Sequence, residues 1–417
     1  MSVITAIKRV VVPGALALGL GAFSQPAVAF VTDITAVFRP DPANPMSNKF
    51  INTTPQSGLC EYHSGAINKC KALNIFGIRD TTFRASSIAP IPANPEDPRQ
   101  SAYFKVPSEW RDVLVTHRGT GNTERVQVRI AAIGSVWSVP RPPGVSGWAT
   151  PEAPNWGTYW YGAPAPCLPI NYFAAGTNFA LFFWIVPEGA GACSVKSGSG
   201  FTRMSYGHLE YAYELRTPNP LGMDTGEYTG AITYTMGPGG DFDFGDVMMP
   251  NDNIVGFNFT LSVEHVLKVD LPPGGNRIEL LPEGGWQSWL NGGRRPARLF
   301  REQTFTIAAS SRFKMTLECG LVIGNTCGLR NGEGDEVPVQ IAVTLPYGLR
   351  DQYDQPVNKL PLRLDGVGTE LIQANQYVDF RPGKLHFEVG KDDVAEMLKA
   401  PGTTYSGTAT VIWDSEV

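Results

Sequence analysis

Apolar and polar residues alternate along much of this chain. Arg125–Ile130, Val337–Leu345 and Thr404–Trp413 each switch character at nearly every step. A period of two turns one face of a strand toward a core and the other toward water. Asn178–Val186 is apolar almost throughout and rich in β-favouring residues, which predicts a fully buried strand. Proline and glycine clusters such as Arg141–Gly144 and Leu271–Gly275 punctuate these runs as turns. Helical periodicity is weak; Lys391–Lys399, around Val394, Met397 and Leu398, predicts one short turn of helix. The expected class is all-β, with two tandem β-sandwiches.

An internal echo supports two units. Gly226–Tyr234 and Thr403–Val411 each carry tyrosine, a hydroxyl residue and glycine, followed by alternating small and apolar residues. Each is expected to close its own sandwich. Gly237-Pro238-Gly239-Gly240-Asp241 follows the first copy and suits a joint between domains. The expected division is a leader over 1–29, a first domain over 30–240 and a second over 241–417.

The leader follows from Lys8 and Arg9, then the apolar run Val10–Phe23, then Gln25-Pro26-Ala27-Val28-Ala29 with small residues before a cut. That is the layout of a secretory signal peptide. Its apolar run falls short of the roughly 20 residues a membrane helix needs. The mature chain is expected to start near Phe30, and its six cysteines are then expected to be oxidised. Many pairings are open to six cysteines; proximity favours Cys60–Cys70, Cys167–Cys193 and Cys319–Cys327, each closing a short loop. The five histidines are scattered and no cysteine pair has zinc-site spacing, so no metal and no cofactor is expected.

Net charge is −5 and charged residues make up 18% of the chain, with no basic run, which argues against nucleic acid as a partner. Asp241-Phe242-Asp243-Phe244-Gly245-Asp246 looks like the start of a calcium loop, but Gly245 stands where a ligand belongs and Met249 offers no hard oxygen. A solvated linker is the expectation there, with Asp252 at the twelfth position leaving an irregular calcium site as the alternative. Nucleophile elbows, phosphate-cradling glycine loops and paired-cysteine redox motifs are absent. No catalytic residue is assigned and no enzyme is expected. Glycosidases need only two carboxylates, so a secreted carbohydrate-active enzyme stays as a distant alternative.

Asn155–Gly162 packs Trp156, Tyr159, Trp160 and Tyr161 between proline-rich turns. Exposed rings stack on the flat faces of sugars; buried rings simply fill a core, which is the commoner use. These four are the candidate receptor contacts. Arg111, Arg118 and Arg203 join them if the ligand is acidic, because guanidinium grips carboxylates with two hydrogen bonds.

The second half carries a resemblance. Asn258–His265 reads as an early strand. Gly284–Trp289, the cysteine strand Phe313–Cys319, Glu336–Leu345, Leu385–Val389 and the terminal alternating run Tyr405–Val417 follow. This layout, over roughly 241–417, resembles the pilin domain of chaperone–usher fimbrial adhesins. The resemblance implies an incomplete immunoglobulin-like sandwich that lacks its last strand. It further implies a periplasmic chaperone that fills the gap first and grips the terminal carboxylate, here Val417. An outer-membrane usher and an adjacent pilin subunit that donates a strand are implied as well. Tyr405, Gly407, Ala409, Val411 and Trp413 share the face expected to border that gap.

The chain is thus expected to be a fimbrial tip adhesin, exported through the periplasm to the extracellular fibre end. Its first domain would bind a surface receptor, a host glycan in most such proteins. The alternative is a non-adhesive initiating or minor subunit. The two differ at Phe30–Phe38, which could serve as a donor strand or as the first strand of its own domain.

Overall fold

The computed structural model describes residues 30–140 and 159–415. The leader, Trp156 and Val417 lie outside the described residues. The fold is nearly all β, as expected, and its strands gather around two main cores.

The first core is wrapped by a curled sheet of thirteen strands. Its longest member, Thr123–Ser138, pairs with Arg111–His117 near its start, with Leu209–Arg216 and with Phe179–Ile185. Burial alternates through Val126, Val128 and Ile130, then becomes continuous from Ile130 to Ser135. The change has a cause on the other face. Two helices, Leu59–Tyr62 and Ser64–Leu73, cover Ala131, Ala132 and Phe183 with a small second core of their own. Phe179–Ile185 is therefore covered on both sides except at Phe179 and, in part, Leu181, which explains its unbroken apolar run. These helices were not legible in the sequence.

The described cysteines pair as proximity suggested. Cys60–Cys70 ties the two helices together, Cys167–Cys193 closes a loop of the first unit, and Cys319–Cys327 joins two strands of the second.

Two expectations about chain order change. Gly226–Thr235 does not close a sandwich; it lies inside the sheet, between Arg111–His117 and Ile254–Val263. The chain that follows the supposed joint at Gly237–Asp241 is core: Phe242, Phe244, Val247 and Met248 are all buried in the first unit. Ile254–Val263, read above as an early strand of the second domain, likewise belongs to the first sheet and alternates buried residues into the first core. Glycine and proline marked a tight turn there, and a turn inside a domain has the same composition as one between domains. The changeover from first to second core falls between Val263 and Leu267.

Phe30–Phe38 runs parallel to Ile254–Val263 along its whole length, with Phe30 opposite Val255 and Phe38 opposite Val263. Ile51–Asn52 pairs on its other side. Ile34, Ala36 and Phe38 are buried in the first core. This segment is a strand of its own sheet.

The second core lies between two layers. One is a seven-stranded sheet built on Leu299–Ala309, Val378–Val389 and Glu336–Thr344. The other contains a two-stranded sheet, Lys314–Cys319 with Ala409–Asp414. Phe305, Ile307, Phe313, Met315, Ile341 and Val343 are buried between them. The expected short helix forms over Lys391–Met397, with Val394 turned into the core.

Candidate functional site: an open strand edge over an apolar groove

The last strand, Ala409–Asp414, has a neighbour on one side only. It runs antiparallel to Lys314–Cys319, with Trp413 opposite Met315 and Val411 opposite Leu317. Among the described residues no strand pairs with its other edge. The regular strand is shorter than the alternation from Thr404 suggests. Before it, Ser406 exchanges backbone hydrogen bonds with Arg330 and bends the chain across the Thr326–Arg330 strand. Gly407 permits that crossing. A Cβ there would sit 2.4 Å from the Gly328 carbonyl oxygen, closer than real Cβ atoms come.

Beside the free edge runs a groove of 540 Å³. Phe305, Val339, Cys327 and Leu385, all buried, form its floor together with Phe387. Ala409, Val411 and Trp413 make one wall, and Val269, Leu271, Ile278 and Leu280 make the other. The walls stand apart because Leu267–Asp270 pairs only with the far end of its neighbour, Thr306–Ala309. Val411 and Trp413 point to the core as the alternation predicted. Trp413 anchors the strand, its ring 5.2 Å from Phe305 and 5.7 Å from Phe313, and Lys314 pairs with Asp414 at 3.0 Å. Tyr405 is half-buried and Gly407 exposed before the strand begins.

Chemically, the groove offers backbone donors and acceptors from Ala409 to Trp413 that no described strand pairs, and an apolar floor beneath. That combination suits an extended peptide with alternating apolar side chains. It offers no nucleophile, acid or base.

Of the four candidate rings the structure describes the side chains of two, Trp160 and Tyr161. Trp160 is fully buried, 5.3 Å from Trp184, 5.4 Å from Trp137 and 4.8 Å from Phe182. Its carbonyl accepts a 2.8 Å hydrogen bond from the Trp184 indole. Trp160 is a core residue, because a ring of that area gains most when hidden. Tyr161, on the same helical turn Tyr159–Gly162, is half exposed. The side chain of Tyr159 and all of Trp156 lie outside the described residues.

The three arginines are not brought together as one site. Arg111 pairs with Asp241 at 2.5 Å and lies over the Tyr234 ring, at the start of its strand. Arg118 pairs with Glu227 at 2.7 Å just beyond the strand's other end. Arg203 is exposed near Ser205–Tyr206, on a different part of the sheet.

The aspartates of the calcium-like loop are engaged by arginine. Arg99 reaches Asp243 at 2.7 Å and Asp246 at 2.6 Å, and Asp241 is held by Arg111. Hydrogen bonds to both partners raise the Arg99 pKa above its ordinary value. A guanidinium thus neutralises the carboxylates, and the segment is a buried anchor rather than a solvated linker. Among the described residues no cluster of His, Cys, Asp or Glu could hold a metal ion, and no helix is long and apolar enough to cross a membrane.

No protein-family model matches the sequence, and no curated protein does. Among solved structures the chain is similar to CfaE, the adhesive subunit of CFA/I fimbria of enterotoxigenic Escherichia coli. Identity is 9%, 92% of each chain is covered and the TM-score is 0.23. It is also similar to a chain of a chaperone–tip adhesin complex of CFA/I fimbriae biogenesis, at 9% identity, 93% and 97% coverage and a TM-score of 0.24. A third is a chain of the CsuC–CsuE chaperone–tip adhesion subunit complex from the archaic chaperone–usher Csu pili of Acinetobacter baumannii. There identity is 8%, coverage 93% and 99%, and the TM-score 0.22. TM-scores this low mark a loose superposition, from which no shared activity follows.

Proposed function

We propose that this chain is the tip adhesin of a chaperone–usher fimbria, completed by a strand from another polypeptide and binding a surface receptor through its first domain. The first domain runs from Phe30 to Val263 and the second from Leu267 onward. The observation that carries the reading is the outer edge of Ala409–Trp413, which no described strand pairs, above the apolar groove. An added strand there would pair with the edge and lay alternate side chains on Phe305, Leu385 and Phe387. A periplasmic chaperone would supply it first, and an adjacent pilin subunit afterwards, at the outer-membrane usher.

The tip position, rather than a place in the shaft, is supported by Phe30–Phe38. Donating that segment would break its full-length pairing with Ile254–Val263 and expose Ile34 and Phe38. A subunit that accepts a strand and gives none ends a fibre. The receptor is a surface glycan in this reading, with Tyr161 as the ring that remains accessible.

Fusion of a strand-forming peptide after Val417 tests the proposal. The fused chain is expected to be more soluble and to melt higher than the unfused chain, with the gain confined to the second domain. Equal solubility and equal melting with and without the peptide would remove the strand-acceptor reading. Binding of the isolated fused chain to a glycan array tests the receptor part separately.

A further inference from the structure

Where the two units meet, the chain changes allegiance at a single residue. The Glu264 amide donates to the carbonyl of Phe38 in the first unit, at 2.9 Å. The Val266 amide donates to Ser310 Oγ in the second, and Ser310 returns a backbone bond to Val266. His265 stands between them and touches both sides. Its Nε2 lies 3.0 Å from the Met223 carbonyl and its Nδ1 3.1 Å from Ser310 Oγ, with the Phe38 ring against its edge.

A carbonyl only accepts, so Nε2 carries the proton toward Met223 and Nδ1 is bare. The Ser310 hydroxyl then donates to Nδ1 while its oxygen accepts from Val266. Neutral His265 satisfies every partner. A second proton, on Nδ1, would leave the serine hydroxyl without its acceptor and set a cation near Arg312.

Beside this hinge lies a cleft of 680 Å³ lined by both units. Across it Arg312 of the second unit pairs with Asp224 of the first at 2.5 Å. Asp224 also accepts from Asn122 at 2.7 Å and Thr120 at 3.3 Å, so the turn after Arg111–His117 backs it. His117 fixes that turn: its Nδ1 accepts from the Gly119 and Thr120 amides and its Nε2 donates to the Thr225 carbonyl. The cleft's charged groups thus bond one another rather than pointing into empty space. The units are also joined by a bond from the Tyr377 amide to the Pro45 carbonyl at 3.2 Å.

We propose that His265 and the Asp224–Arg312 pair form a clamp that holds the two domains in one orientation near neutral pH and releases them in acid. Burial holds the His265 pKa below its ordinary value, against the raising effect of the Met223 and Pro220 carbonyls and of Asp224; Arg312 lowers it further. A depressed histidine favours the neutral, closed junction above the ordinary histidine range and weakens it as pH falls below that range. Burial alone would raise Asp224, but Asn122, Arg312 and Thr120 outweigh it and hold its carboxyl below the usual carboxylate value. Asp224 starts from the lower ordinary value and is lowered further, so the histidine is assigned as the trigger and the ion pair as the latch. Glu264 does not face the ring; it is engaged by Arg39 at the surface.

The test uses the full chain with a dye at each of two exposed positions, Ile88 in the first domain and Tyr353 in the second, introduced as unnatural amino acids. The interdye distance is measured from neutral pH stepwise into acid. One narrow distance is expected near neutrality, broadening in acid before near-ultraviolet circular dichroism shows loss of either core. Arg312→Ala is expected to be broad already at neutral pH. The exchanged pair Asp224→Arg with Arg312→Asp is expected to restore a narrow distance, and His265→Gln to shift or abolish the acid response. A wild-type distance that is broad at neutral pH, or that stays narrow in acid, overturns the proposal without any variant. So does a folded Arg312→Ala chain as narrow as wild type, or an acid response untouched in His265→Gln.

Discussion

Replacing Trp413 by alanine probes the open groove most directly, because the cost should depend on whether the groove is filled. In the unfilled chain the Trp413 side chain is half-buried between Phe305 and Phe313. Removing a fully buried tryptophan costs about 3–5 kcal/mol, so a half-covered one should cost about 2 kcal/mol. The second domain spans roughly 150 residues, for which 1 kcal/mol moves the melting temperature by about 2–4 °C. Trp413→Ala should thus lower the second domain's transition by about 4–8 °C and leave the first domain's transition in place. With a strand fused into the groove, Trp413 becomes fully covered and the same change should cost about 4 kcal/mol, roughly twice the shift. Differential scanning calorimetry of four chains, with and without the fused strand and the substitution, reads both numbers. Equal shifts in fused and unfused chains would mean that the strand does not lie against Trp413, and a shift in the first transition would mean that the domains melt as one body.

Gly407→Val should force a Cβ into the Gly328 carbonyl and displace the approach to the last strand, lowering the second transition and weakening capture of an added strand peptide in a pull-down. Arg99→Ala leaves Asp243 buried without its cation and should cost about 3–5 kcal/mol by urea unfolding. Millimolar calcium should not shift the melting of the unmodified chain, since Arg99 already neutralises the loop. Trp160→Ala should cost about 3–5 kcal/mol and lose receptor binding only through unfolding. Tyr161→Ala should stay within about 0.5 kcal/mol of the parent, so any loss of glycan binding there reports contact.

Strands announced themselves wherever one face is wet. Val337–Leu345 and Arg125–Ile130 show the period of two because their outer residues meet water, and the structure places strands over both. The Ser64–Leu73 helix escaped because it is short, weakly amphipathic and fixed by contacts far along the chain. Its inward residues, Ala66 and Cys70, are small and rest on Ala131, Ala132 and Phe183. Cys60–Cys70 ties it to the Leu59–Tyr62 helix without revealing that either segment is helical. The limit between the two units was misread for a related reason. Ile254–Val263 is an ordinary alternating strand, and only its pairing with Phe30–Phe38 and Gly226–Thr235 assigns it to the first sheet. The Phe30–Phe38 partner, more than two hundred residues away, leaves no mark in local composition.

The receptor candidates show the same limit from the other side. A run of rings states that large apolar area is present; burial decides whether it is core or contact, and Trp160 went to the core. The groove was more legible, and the reason lies in how sheet edges are usually protected. Terminal strands of the two large sheets are short or interrupted: Ile51–Asn52 and Val322–Ile323 have two residues each, Met248–Pro250 ends in proline, and Leu267–Asp270 carries Lys268 and Asp270. The outer edge of Lys314–Cys319 is covered by backbone bonds from Met315 to Thr369 and from Leu317 to Arg363. Such features block edge-to-edge pairing. Ala409–Asp414 has none of them over its first five residues, Ala-Thr-Val-Ile-Trp, which carry no charge and no proline. Protecting that edge would have required a single lysine or proline among those residues, and either would also have prevented a partner strand from pairing there. An edge that no described strand pairs, over an apolar floor, in a chain where these four sheet ends are short, charged or broken by proline, is what the proposed strand addition requires.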